Sequence, residues 1–60
     1  MEELAIRQAA FQMMKLHGSD AEAASALQAD AMLTRGNIGG FHAWIRIKTL
    51  IKDLERKFHA

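Results

Sequence analysis

Three features of this 60-residue chain predict an all-α fold: two isolated glycines that punctuate it, an alanine-rich first half, and a heptad-spaced apolar stripe near its end. No proline and no strand-like alternation competes with helix. Gly18 and Gly36 each follow a run of mixed apolar and polar residues, the usual C′ position of a helix. They divide a single domain, residues 1–60, into helices near 2–17, 20–35 and 38–58. Connections of about two residues fold successive helices back on each other.

His17 and Arg35 sit just before the two glycines, where positive charge suits a helix C-terminus. For the second helix, Ser19-Asp20-Ala21-Glu22 predicts an S-x-x-E capping box. Nine alanines between residues 5 and 33 give high helix propensity and a thin core. Met13, Met14 and Met32 read as core filling. The third helix starts after Asn37, a good N-cap. Gly36 supplies a positive φ at the turn, and Gly39 and Gly40 remove bulk beside Phe41 and Trp44.

The third helix carries the sharpest pattern. Trp44, Ile47, Ile51, Leu54 and Phe58 recur at 3-4-3-4 spacing, and Ala43 and Leu50 widen the stripe. Ile38, Phe41 and Ile45 form a second apolar set on roughly the opposite side, which predicts packing on two faces. At about 21 residues this helix outruns its neighbours, so Leu54 and Phe58 are expected to project beyond them. A domain this short buries only about 60% of its unfolded surface. Together these points predict a homodimeric bundle, self-associating through Trp44, Ile47, Leu50, Ile51, Leu54 and Phe58.

Charge is unevenly placed. In the first thirty residues two cations face five carboxylates; in the last thirty, six cations face two. Lys48, Lys52 and Arg56 line one ridge at i, i+4, i+8, with Lys57 beside it. Asp53 with Lys57, and Glu55 with His59, are expected to relieve the repulsion. The ridge reads either as a solvated face whose lysine stems cover apolar surface or as a contact for phosphate or an acidic partner. Sequence-specific major-groove reading is disfavoured, because Ile38-Gly39-Gly40-Phe41-His42 offers almost no bidentate base-reading side chain.

Several classes drop out on composition. Without cysteine there are no disulfides or thiolate metal sites, which fits a reducing compartment. His17, His42 and His59 make no metal-ligand spacing, so neither metal nor cofactor is expected. No apolar run approaches a membrane span. The acidic start, Met1-Glu2-Glu3, is unlike a signal peptide, and a complete cytoplasmic chain is the expectation. No nucleophile–base pair is visible, so catalytic residues are not expected. Asp30, between alanines, is expected to be a structural acceptor for the Trp44 indole or the Arg46 guanidinium.

His17-Gly18, Ala21, Ala24, Ala29-Asp30, Leu33, Gly36-Asn37, Gly40, Trp44, Arg46-Ile47, Ile51 and Leu54 resemble a pattern in small helical proteins of alphaproteobacteria. That pattern reads roughly A-D-x-x-L, then G-D-x-x-G-x-x-x-W-x-R-I, with Asn37 replacing the usual aspartate. The resemblance covers about residues 5–56 and implies a stand-alone bacterial helical protein, without implying an activity. The function expected is a non-catalytic protein-interaction module, an adaptor, regulator or inhibitor, working by helix-face association. The alternative is a nucleic-acid-associated regulator that binds phosphates through Lys48, Lys52, Arg56 and Lys57. Membrane-surface association through the third helix is a weaker third reading.

Overall fold

In the computed structural model, which describes residues 3–58, α1 covers Glu3–His17, α2 Ala21–Thr34 and α3 Ile38–Phe58. A 3₁₀ turn, Gly18–Asp20, joins the first two. No strand occurs among the described residues. The all-α class stands, but the division into three separated helices does not. α1 and α2 follow each other directly through the 3₁₀ turn, with no loop between them, and α3 stands apart, giving two helical segments, the first bent at Gly18.

The bend has a local cause. Gly18 takes φ +55, which ends α1, but the chain returns at once to right-handed geometry. Asp20, at φ −94 and ψ 5, lacks the extended backbone of an N-cap, and its side chain makes no cap hydrogen bond. Ala21 N–H is bonded to the Gly18 carbonyl instead. The predicted Ser19–Glu22 capping box is therefore replaced by a turn satisfied through the backbone.

The second turn is built differently. Gly36, at φ +77, donates to Leu33 O at 3.0 Å, and Asn37 N–H donates to Met32 O at 2.8 Å. This pair is a Schellman motif, possible because glycine tolerates the left-handed backbone. Asn37 then caps α3: Gly40 N–H donates to its Oδ1 at 2.9 Å. A Cβ on Gly40 would lie 2.8 Å from Met32 Sδ and 2.9 Å from Asn37 Nδ2, so this glycine sets the approach of α2 to α3. A Cβ on Gly39 would make only an ordinary contact, 3.9 Å to Asn37 Oδ1, and the crowding at Gly40 is with Met32 and Asn37 rather than with Phe41 and Trp44.

The core lies where the bent segment wraps α3. Ile6, Ala10 and Met13 from α1, Ala21 from α2, and Ile47 and Ile51 from α3 form one buried cluster. Ala21, Ser25 and Ala29 recur every fourth residue and are all buried, so α2 packs through a ridge of small side chains. Ser25 is fully buried, and its Oγ has no hydrogen-bond partner among the described residues. Glu3 meets Arg46, whereas Met14 and Gly18 share a cavity with Glu55 and Arg56, so α1 runs parallel to α3. The long axis, 36 Å, is close to the roughly 31 Å length of a 21-residue helix.

Candidate interaction surface

The structure distributes the predicted self-association stripe over two environments. Ile47 and Ile51 are fully buried in the chain's own core, where α1 and α2 cover them, and so cannot meet a second protomer. Trp44 and Leu50 are partly buried against the same cluster. The 3-4 spacing correctly marks an apolar stripe, but the covering surface is the bent helical segment of the same chain. Leu54 is half-buried rather than projecting, because the bend at Gly18 brings α1 alongside the end of α3. The side chain of Phe58, and the Glu55–His59 pair, lie outside the described residues.

Of the stripe, Leu50 and Leu54 line a seam between α1 and α3. They form one groove of about 300 Å³ with Phe11, rimmed by Arg7 and Lys57. An adjoining groove of about 250 Å³ is lined by Glu3, Ile6, Ile45, Arg46, Thr49, Leu50 and Asp53. The seam thus carries charges of both signs along its length. Arg46 donates to Glu3 Oε2 at 2.6 Å, and Arg7 lies 3.9 Å from Glu3. These are exposed pairs, each worth less than about 1 kcal/mol.

The basic ridge is less uniform than its spacing suggests. Lys52 and Arg56 are exposed and Lys48 is half-buried. Arg56 donates to Asp53 Oδ1 at 2.8 Å, so Asp53 is paired with Arg56 rather than with Lys57. Lys57 is turned to the α1–α3 groove, away from the Lys52–Arg56 side. Asp30 is exposed, Arg46 pairs with Glu3 instead, and the Asp30 carbonyl accepts the Thr34 hydroxyl at 3.0 Å. The alanines around Asp30 cover less of it than expected, since its side of α2 points to solvent.

Among the described residues no group of three His, Asp or Glu is placed to hold a metal ion. His42 is exposed beside Phe41, with ring centroids 5.5 Å apart. No helix among the described residues is long and apolar enough to cross a membrane.

Two features escaped the sequence reading. Leu4 and Phe11 are 63% and 57% exposed on α1, and Leu27 is 70% exposed on α2. Leu4 and Phe11 stand seven residues apart, a heptad spacing that marks one face and was the signal available. Taken together, the described residues define a small all-helical chain with exposed apolar helix faces and open grooves. The chain matches no protein-family model, and no curated protein or solved structure matches it at a significant level.

Proposed function

We propose that the chain is a small non-catalytic protein-interaction module, an adaptor, regulator or inhibitor, that acts by helix-face association and forms a homodimer in doing so. The imbalance between core and surface supports this reading. Of the seven buried hydrophobic residues among those described, Ala10, Ala21 and Ala29 contribute little area. Six larger ones, Leu4, Phe11, Leu16, Leu27, Leu33 and Ile38, are 50% exposed or more. Apolar surface of that extent on so small a chain favours a partner. The cysteine-free composition supports a cytoplasmic setting.

Sedimentation equilibrium at micromolar concentration tests the dimer: the expected mass is twice 6.7 kDa. A monomer that melts cooperatively would contradict it. A salt titration with DNA and RNA tests the competing phosphate reading. The expected result is no binding at low salt, whereas a steep log–log slope would transfer support to the Lys48, Lys52 and Arg56 ridge.

A further inference from the structure

We propose that Met32 is an oxidation-sensitive latch on the α2–α3 hairpin: a peroxide that converts its thioether to the sulfoxide displaces Asn37 and uncaps α3. Met32 is half-buried at the turn, with Asn37 exposed beside it, so a small oxidant can reach the sulfur. Asn37 Nδ2 donates to Met32 Sδ at 3.5 Å, and Gly40 N–H donates to Asn37 Oδ1 at 2.9 Å. The cap occupies the amide oxygen, which leaves the amide nitrogen to face the sulfur. Both bonds therefore belong to one planar group, and moving Nδ2 moves Oδ1. The α3 backbone closes another side of the sulfur, since a Cβ on Gly40 would lie 2.8 Å from Sδ. Among the described residues, Met13 is buried in the core cluster and Met14 packs against it, whereas Met32 is bonded to a capping residue.

The oxidation is a two-electron step that needs only hydrogen peroxide. A sulfur lone pair attacks one peroxide oxygen, the O–O bond breaks and the S–O bond forms. The second oxygen leaves as water, carrying the proton of the first. Sulfur is oxidised, the peroxide is reduced, and an apolar side chain becomes polar. An oxygen between Sδ and Nδ2 would fall well inside the about 2.7–3.2 Å of an N–H···O bond. The sulfur cannot yield toward α3, where it already sits against Gly40. The amide must retreat instead, and Oδ1 leaves Gly40 N–H with it.

Trypsin isolates the site for measurement. Cleavage after Lys15 and Arg35 releases residues 16–35, in which Met32 is the only methionine, while Met13 and Met14 fall in residues 8–15. The full chain is treated with dilute hydrogen peroxide while folded, and the 16–35 peptide is weighed by mass spectrometry. One added oxygen is expected on it, together with a fall in Tm of roughly 4–8 °C, the shift that loss of one cap gives a domain of this size. Met32→Leu, close in volume, should keep its helix content by circular dichroism and hold its Tm through the same treatment. An equal fall in Met32→Leu, a Met32 sulfoxide without any fall, or a peptide that gains no oxygen would each overturn the latch. Asn37→Ser keeps a capping hydroxyl without an amide beside Met32, and should lose less Tm on oxidation than the wild type. An undiminished loss there would overturn the route through the cap.

Discussion

The two interfaces that α3 makes are built on opposite principles. Against α2 it meets Ala21, Ser25 and Ala29, small side chains buried to 0–1% exposure, and a glycine at the point of closest approach. Against α1 it meets Ile6 and Met13 around a single alanine, and a groove remains beside Phe11. The α2 side gains from proximity: backbones come close, dispersion contacts are dense, and tolerance for extra volume is low. The α1 side gains from area, and it is incomplete. Leu4 and Phe11 stay largely in water although Leu50 and Leu54 lie next to the groove. Close packing therefore fixes the α2–α3 hairpin, while the α1–α3 seam is left unfinished.

Ile47 and Ile51 belong to both interfaces, so truncating either one is the strongest way to break the comparison. Ile47→Ala removes a fully buried side chain from a cluster with few other large members. We expect a loss of about 2–5 kcal/mol in urea unfolding. A loss below about 1 kcal/mol would mean that contacts outside this cluster hold the helices together.

The glycine pair sharpens the α2 side. Gly39→Ala adds a methyl that makes only an ordinary contact, 3.9 Å to Asn37 Oδ1, and removes backbone entropy from the unfolded chain, so we expect a gain of up to about 1 kcal/mol. Gly40→Ala places a methyl within 2.9 Å of Asn37 Nδ2 and 2.8 Å of Met32 Sδ. Met32 is flexible, but Asn37 is held by the same cap bond that the methyl displaces, and its amide also reaches Met32 Sδ at 3.5 Å. Overpacking and cap loss outweigh the helix propensity gained, so a net loss of about 1 kcal/mol follows. Equal thermal shifts for the two variants would show that the approach of α2 to α3 is looser than described.

The contrast also explains what could be read from the residues alone. The Gly36-Asn37 turn was legible because both residues act locally: one supplies a left-handed backbone, the other a side-chain acceptor three residues from its donor. The length of α3 was legible for the same reason. The Ser19–Glu22 box failed although its residues are right, because Gly18 hands the chain into a 3₁₀ turn that leaves no extended N-cap backbone. The face of α2 was not legible. Alanines surround that helix, so periodicity could not single out Ala21, Ser25 and Ala29 from Ala23 or Ala26. The stripe on α3 was recognised as apolar, but whether its cover comes from the same chain or another depends on the bend at Gly18. Asp30 was expected to accept from Trp44 or Arg46 across the α2–α3 hairpin, whereas the parallel course of α1 brings Glu3 to Arg46.

Ser25 offers the smallest change and the most specific one. Its Oγ is fully buried in the small-residue ridge and has no partner among the described residues, which carries a desolvation cost of about 1–3 kcal/mol. Ser25→Ala removes that cost, keeps the ridge profile within one atom, and raises helix propensity by a few tenths of a kcal/mol. The small void left by the oxygen offsets part of the gain. We expect net stabilisation of about 1 kcal/mol, a rise in Tm of roughly 4–8 °C for a domain of this size. A fall in Tm would mean that the hydroxyl bonds a carbonyl of the preceding turn in solution. The α2 side would then be held by a polar latch as well as by close approach, and the distinction between the two interfaces would narrow.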